Sequence, residues 1–263
     1  MTINRVMLGG LIALLAAAAA FFFLRGDGVS ATGEAQTVVD LPAGLEREDL
    51  EVVIREYILA HPEIIPEAME RLQQRRSVAM ISAVREQLET PFAGAWAGAA
   101  DADVTIVEFF DYACSFCRAS LGDVDRLLRE DDRLRVVFRE LPILSRESEQ
   151  AARVSLAAAK QRDFMGFHRA MFAAGRPSAV SIAAAQQTAG LDRGRINAAL
   201  DGQDIAAEIA SNLDLARRLE LTGTPVFVVG DQLLTGAVGY ERLKEAVEEA
   251  RTPRPAEIGS TIE

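Results

Sequence analysis

The only two cysteines of this 263-residue chain, Cys114 and Cys117, stand three positions apart in the segment IVEFFDYACSFCR, residues 106–118. An apolar run typical of a buried strand precedes them, and a helical pattern follows. Both thiols are therefore expected on the first turn of a helix that begins where a strand ends, close enough to form a disulfide with each other. Such a pair can be a redox centre, part of a metal site or a structural cross-link.

The redox interpretation explains this arrangement best. A metal site needs more ligands, and the two histidines, His61 and His168, are far from the cysteines in sequence. A structural disulfide closing so short a loop removes little entropy from the unfolded chain. At a helix start, free amides and the helix dipole stabilise the thiolate of Cys114. Cys114 would then exchange with a substrate disulfide and Cys117 would resolve the mixed disulfide, with no further cofactor.

Two other positions extend the candidate site. Glu108 lies among apolar residues of the strand before Cys114, where a carboxyl can exchange protons with the buried thiol. Pro225 follows Thr224 in a TGTP segment just before another predicted strand. A proline there is compatible with a cis bond, which would let the Thr224 backbone face the disulfide and pair with an extended substrate.

Aromatic side chains near the cysteines have two interpretations. Tyr112 and Phe116 flank the pair and either form an apolar rim that grips unfolded substrate or complete the core. His168, on a predicted helix among aromatic residues, is interpreted as a packed residue because no proton-transfer partner lies near it in sequence. Trp96 and Met165 have only packing interpretations.

The chain begins with an apolar segment that we separate from the fold. Residues 7–24 are uninterrupted by charge and follow Arg5, and about 17–25 such residues span a bilayer. We predict that residues 1–25 are an uncleaved inner-membrane anchor, with a signal cleaved after Ala31 as the alternative. Both place the remainder in the periplasm, where disulfides persist.

The next segments are predicted to be a flexible tether over residues 26–45 and a helical stalk over residues 46–90. Pro62 interrupts the helical pattern. The stalk has an apolar stripe that includes Ile65, Met69 and Leu72, which an isolated short helix cannot bury. The stripe either packs on the following domain or mediates self-association.

The fold class predicted for residues 91–251 is α/β. A Gly/Ala-rich boundary, residues 91–103, precedes strands at 104–110 and 134–141, which a crossover helix joins as a parallel pair. An all-helical insertion over residues 145–221 follows, with helices expected at 148–160, 163–172, 178–188, 193–200 and 205–219. A hairpin of strands 226–229 and 232–235, a helix over 240–251 and a polar tail over 252–263 complete the chain.

The charge of the chain argues against one class of partner. Its formal net charge is −11 at pH 7, and no basic stripe appears. Nucleic-acid-binding proteins normally carry a basic face, so we expect no nucleic-acid partner.

Several segments of the chain resemble a known protein family. VEFFDYACSFC, the helical insertion and TGTP resemble the DsbA-like branch of the thioredoxin superfamily over about residues 103–251. EYILAHPEIIPEAMERLQ and FRELPILSRESEQAAR are similar to ScsC, the suppressor-of-copper-sensitivity thiol oxidoreductases. The resemblance implies a thioredoxin fold with an inserted helical subdomain, preceded by an N-terminal helical stalk that mediates oligomerisation, commonly as a trimer.

The same resemblance implies roles for the site residues. Cys114 would be the nucleophile, Cys117 the resolving cysteine, Glu108 the buried proton-exchanging carboxylate and Pro225 the cis-proline beside Thr224. One departure is the dipeptide SF between the cysteines, which lacks the histidine of strongly oxidising DsbA proteins. The protein is therefore expected to be less oxidising than DsbA.

Together these observations predict a disulfide isomerase that acts as a homo-oligomer on cysteine-containing exported proteins. A membrane redox partner would reset the pair. The alternatives are a monomeric DsbA-like dithiol oxidase and a copper-tolerance module that binds Cu(I) through Cys114 and Cys117.

Overall fold

The computed structural model describes residues 46–252. The predicted anchor, the tether and the tail from residue 253 onward lie outside these residues. The chain divides into two units, of which the first ends at Pro62 and the second begins at Glu63. Among residues 46–252, no helix combines the length and the apolar character needed to cross a membrane.

The described residues form helices and strands close to the predicted ones. The helices are α1 (Arg47–Ala60), α2 (Ile64–Ser82), α3 (Arg85–Glu89), α4 (Ser115–Glu130), α5 (Arg146–Lys160), α6 (Phe164–Ala173), α7 (Ala179–Thr188), α8 (Arg193–Leu200), α9 (Asp204–Arg218) and α10 (Tyr240–Arg251). The strands are β1 (Trp96–Gly98), β2 (Val104–Phe110), β3 (Leu134–Glu140), β4 (Val226–Val229) and β5 (Gln232–Thr235).

The first unit contributes α1, in which no residue is buried. Its apolar side chains, among them Val53, Ile54 and Tyr57, are exposed. The helix ends at Ala60, just before Pro62, and the His61 amide donates to the Tyr57 carbonyl at 2.9 Å. A proline disfavours helical geometry in the residue before it, which explains the break predicted from the sequence.

The second unit begins with a helix whose two ends differ. Near the start of α2, Ile65, Met69 and Leu72 are exposed, whereas Ile81 at its end is fully buried. The helical path then breaks at Val84 and resumes as α3, and both Val84 and Leu88 are buried in the same core as Ile81. The second unit therefore starts before residue 91, and the end of the predicted stalk belongs to its core.

A five-stranded sheet in the order β1-β3-β2-β4-β5 forms the centre of the second unit. The pair β2 and β3 is parallel, as predicted, and β4 runs antiparallel to β2 and forms a hairpin with β5. The strand β1 lies in the segment predicted to be only a boundary, and pairs antiparallel with β3. It has only three residues, Trp96, Ala97 and Gly98, so it lacks the β-branched alternation that identifies a strand.

Alternate residues of β2 face opposite layers of helices. Ile106 and Phe110 join the core with α4, α5 and α6, whereas Val107 and Phe109 join the core with α3 and α9. Because side chains alternate along a strand, Glu108 faces the same side as Ile106 and Phe110. This is the side on which α4 carries the cysteines.

Arg139 of β3 connects the helices before the sheet to the sheet itself. Its side chain is 3 % exposed and its guanidinium donates to the carbonyls of Gln87, Leu88 and Thr90 at the end of α3. It also pairs with Glu208 of α9 at 2.7 Å. The carbonyls at a helix end lack partners within the helix, so a cation there both satisfies and stabilises them.

We expect Arg139→Met to destabilise the protein by about 3–5 kcal/mol, because removing one member of a buried ion pair leaves its partners uncompensated. Urea unfolding measured by circular dichroism checks this value. Arg217→Met is the matched control, since Arg217 forms an exposed ion pair with Asp214. Equal midpoints for the two variants would show that Arg139 does not anchor α3.

Candidate active site

Cys114 lies where β2 has ended and α4 begins, as the sequence predicts. It is the N-terminal cap of α4, and its Sγ accepts a hydrogen bond from the Cys117 amide at 3.4 Å. The Cys114 amide donates to the Asp111 carbonyl at 3.0 Å. Both cysteines are reduced. The Cys114 sulfur is thus held against the free amides of a helix start, which favour its thiolate.

Cys117 is one turn into the helix and is fully buried, whereas Cys114 is 6 % exposed. Burial raises the pKa of the Cys117 thiol, and a backbone hydrogen bond from Asp111 acts in the opposite direction. The two thiols therefore differ in solvent access, and the pKa of the buried Cys117 is raised. This difference suits a nucleophile that solvent can still reach and a resolving group that it cannot reach, the roles predicted for Cys114 and Cys117.

Glu108 is buried in the middle of β2, beside Phe138 of β3 and Phe227 of β4 in the strand register. Burial raises the pKa of its carboxyl to about 8, and the charges of Cys114 and Asp125 add to this effect. In return, the charge of Glu108 raises the pKa of Cys117. Glu108 is thus electrostatically connected to both thiols and carries a proton at neutral pH.

The segment before β4 approaches the cysteines from another part of the chain. The peptide bond between Thr224 and Pro225 is cis, an isomer that the sequence left open. The Cys114 thiol donates to the Thr224 carbonyl at 3.2 Å. Thr224 thus contacts the nucleophile through its carbonyl, and its pairing with an extended substrate stays a prediction.

Of the two interpretations of Tyr112, the structure agrees with a core residue and not with part of a substrate-gripping rim. Its side chain is 1 % exposed because it points into the core between α5 and α6. Its hydroxyl hydrogen bonds with the Ser155 hydroxyl at 2.8 Å and with His168 Nδ1 at 3.1 Å. Phe116, by contrast, is 64 % exposed on the first turn of α4, so its role in substrate contact stays a prediction.

His168 is packed in the core, as the sequence indicates. It stacks on Phe164 and makes edge contacts with Phe110 and Phe172. Burial lowers the pKa of the imidazole to about 3, so the ring is neutral. The sequence did not reveal its hydrogen bond to Tyr112, because the two residues lie 56 positions apart. Trp96 and Met165 pack partly buried against the two cores.

Two buried acids near the cysteines were missed by sequence reasoning. Asp111 follows β2 directly, and its carboxylate accepts from the amides of Ala113 at 2.7 Å and Leu144 at 2.9 Å. Glu140 ends β3 with Oε1 buried and without a partner in the described structure, and burial raises its pKa well above the usual range. A signal existed for Asp111, which stands between Phe110 and Tyr112, whereas Glu140 follows Arg139 and is not marked by an apolar run.

Exposed apolar side chains stand beside this site. Ile143 and Leu144, in the loop between β3 and α5, are about half exposed, as is Phe116 at the start of α4. The bond from the Leu144 amide to Asp111 ties this loop to the loop that carries Cys114. Water-exposed apolar groups next to a reactive thiol are suited to contact unfolded polypeptide.

Among residues 46–252, no three or more histidine, cysteine, aspartate or glutamate side chains lie together as a metal site would require. Binding of Cu(I) by Cys114 and Cys117 alone stays a prediction.

A central sheet with helices on both faces, and a Cys-x-x-Cys pair at a helix start opposite a cis-proline segment, define the class of thioredoxin-fold thiol–disulfide oxidoreductases. Residues 105–248 match the DSBA-like thioredoxin domain, and the chain belongs to this family. Residues 46–78 match the N-terminal domain of the copper resistance protein ScsC. The resemblance to DsbA-like and ScsC proteins inferred from the sequence is therefore confirmed.

Solved structures similar to this chain have the same fold. A thioredoxin-like oxidoreductase from Silicibacter pomeroyi DSS-3 is 36% identical, with a TM-score of 0.61 over 64% of this chain and 96% of that one. The thiol-disulfide exchange protein alpha-DsbA2 from Wolbachia pipientis is 27% identical, with a TM-score of 0.64 over 68% and 97%. The catalytic domain of Proteus mirabilis ScsC is 26% identical, with a TM-score of 0.61 over 66% and 97%.

Curated relatives include longer proteins. The Na(+)/H(+) antiporter NhaA 3 from Salinispora tropica is 32% identical over 155 residues, which are 57% of this chain and 24% of that protein. The chain thus spans about a quarter of the length of this relative. Disulfide bond formation protein D from Bacillus subtilis is 25% identical over 57% of this chain and 74% of that protein.

The raised pKa of Glu108 predicts a pH-dependent stability. The folded chain binds this proton up to about pH 8 and the unfolded chain only up to about 4.5, so stability falls as pH rises between these values. The loss is at most about 1.4 kcal/mol per pH unit. Glu108→Gln, which cannot ionise, should lack this loss in urea unfolding of the reduced protein. Glu149→Gln, on the exposed surface of α5, is the control. Parallel profiles for wild type and Glu108→Gln would contradict the assignment.

The contrast between the two thiols predicts selective alkylation. At pH 7 we expect iodoacetamide to modify Cys114 of the native reduced protein at least about tenfold faster than Cys117, because only the thiolate reacts and Cys117 is buried with a raised pKa. Peptide mass spectrometry over time gives both rates. In denaturant the two rates should converge. Equal rates in the native protein would contradict the assigned roles.

Proposed function

We propose that this protein exchanges disulfides in exported cysteine-containing proteins and acts as a disulfide isomerase within a homo-oligomer, favouring a trimer. The observation that carries the proposal is the placement of Cys114 at the start of α4, with its sulfur 3.4 Å from the Cys117 amide and 3.2 Å from the Thr224 carbonyl. Thiolate stabilisation and a nearby backbone acceptor are what thiol–disulfide exchange with a polypeptide requires.

The exchange proceeds in two displacements. The Cys114 thiolate attacks one sulfur of a substrate disulfide, which forms a mixed disulfide and releases the other substrate sulfur as a thiolate that takes up a proton. In isomerisation, this thiolate or another thiolate of the same substrate then attacks the mixed disulfide. A substrate disulfide forms, and Cys114 is released in its reduced state. If Cys117 attacks first, the Cys114–Cys117 disulfide forms and the substrate leaves as a dithiol.

Glu108 supplies a proton acceptor for the second displacement. The negative charge of Cys114 is one cause of the raised pKa of Glu108, and a mixed disulfide has no such charge. Forming the mixed disulfide therefore lowers the proton affinity of Glu108 when Cys117 must lose its proton. Once Glu108 has given its own proton to water, its carboxylate can take the Cys117 proton, directly or through water, and pass it to the departing substrate thiolate.

Isomerisation also requires that one molecule hold a misfolded substrate while its sulfurs exchange. The exposed apolar residues of α1 and those at the start of α2 are suited to helix–helix association, which would place several sites around one substrate. This supports an oligomer rather than a monomeric dithiol oxidase. The proposed location is the periplasm, with the N-terminal segment as anchor and a membrane redox partner that resets the pair.

The oligomer is tested by the paired substitution Met69→Glu and Leu72→Glu, which places charges on the exposed start of α2. Light scattering should show an oligomer for wild type and a monomer for the variant. The rate at which the variant reactivates scrambled ribonuclease in a glutathione buffer should be several-fold lower than that of wild type. The rate at which the variant reacts with oxidised glutathione should change much less.

Val180→Glu, at an exposed apolar position of α7, is the matched control and should retain wild-type mass and activity. A monomeric wild type, or a monomeric variant with full isomerase activity, would contradict the role of the oligomer. Truncation at residue 91 is unsuitable for this test, because it removes Ile81, Val84 and Leu88 from the core.

A further inference from the structure

Asp111 is a buried carboxylate that no step of the exchange reaction uses. It is 1 % exposed, directly after β2 and three residues before Cys114. One carboxylate oxygen accepts from the Ala113 amide and the other from the Leu144 amide. These donors come from two loops that are 31 positions apart in sequence, so a single side chain joins the cysteine loop to the loop after β3.

The bond to Ala113 alone does not explain an aspartate at this position. A side-chain oxygen that accepts from an amide two residues ahead forms a local turn, which asparagine makes as readily as aspartate. An asparagine has one acceptor oxygen, and its amide nitrogen is a donor. Only a carboxylate offers acceptors to both amides, so the second bond, to Leu144, is what requires the aspartate.

The loop after β3, which Asp111 joins to the cysteine loop, presents apolar side chains to solvent. Ile143 and Leu144 are 46 % and 52 % exposed. The Leu141 amide donates to the Phe110 carbonyl, and Ser145 caps α5, so both ends of this loop are attached. The Leu144 amide lies between these attachments, and its bond to Asp111 holds the apolar pair next to the Cys114 loop.

We propose that Asp111 is a positioning residue for substrate selection: it holds Ile143 and Leu144 beside Cys114, where they contact apolar residues flanking a substrate disulfide. This inference rests on the proposed disulfide exchange and adds the residue that holds its apolar contact surface in place. A small hydrophilic disulfide has no apolar residues with which to contact this loop.

The test compares two disulfides with the full-length reduced protein. One is oxidised glutathione, and the other is a synthetic peptide with leucine and phenylalanine around its single disulfide. The readout is the ratio of the second-order rate constant for the reaction of the reduced protein with the peptide disulfide to that for its reaction with oxidised glutathione. A change in the reactivity of the thiols affects both substrates and cancels in this ratio, as does a general loss of folded protein.

Asp111→Asn should lower this ratio about tenfold or more, since a hydrogen bond to a charged group contributes enough for such a change. Leu144→Ser should lower the ratio about tenfold by removing the apolar contact itself. The double variant should lose little more than either single variant, because both act on one contact. Val180→Ser replaces an exposed apolar side chain of α7 by serine in the same way and should leave the ratio unchanged.

Three other outcomes would overturn either this inference or the proposed function. An unchanged ratio in Leu144→Ser overturns the inference even if Asp111→Asn fails to fold. Additive losses in the double variant overturn it as well, since Asp111 and Leu144 would then act independently. Failure of the wild-type protein to react with either disulfide would instead overturn the proposed function.

Discussion

The junction between β2 and α4 is the feature on which the rest of the site depends. A strand that is buried except at Thr105 ends at Phe110, and four residues later a helix begins with Cys114 as its cap. The sheet fixes the end of the strand from both sides, through parallel pairing with β3 and antiparallel pairing with β4. Because the helix must start at this point, its free amides face Cys114, and Cys117 is carried one turn into the core.

The same junction concentrates acids in a region that excludes water. Glu108, Asp111 and Glu140 are each at most 2 % exposed. A buried charge is costly unless it is hydrogen-bonded, and otherwise the group takes up a proton. Asp111 has two amide donors, whereas burial raises the pKa of Glu108 and of Glu140. Stability alone does not favour this arrangement, and the exchange that we propose would use Glu108 as a proton acceptor for Cys117.

The layers around the sheet serve different purposes. On one face, α5 and α6 enclose Tyr112 and His168. The aromatic cluster therefore packs against the buried side of the cysteine loop and is not available to contact substrate. On the other face, α3 is held by Arg139, which connects the end of the N-terminal helices to the centre of the sheet. The exposed start of α2 is therefore continuous with a firmly packed end.

The sequence by itself determined the strands β2, β4 and β5, the helix α10, the parallel β2–β3 pair and the placement of both cysteines, because these depend on local periodicity and helix-start signals. It also indicated Glu108, since a single acid among apolar strand residues is conspicuous. The tertiary structure decided what local patterns do not encode. Tyr112 lies beside the cysteines in sequence, yet the direction of its side chain buries it, and the short strand β1 exists only because β3 offers an edge. Likewise, the carboxylate of Asp111 meets the amide of Leu144, 33 positions away, because the ends of two parallel strands lie side by side. Contacts between distant segments depend on how the sheet brings them together, and no window of sequence contains that information.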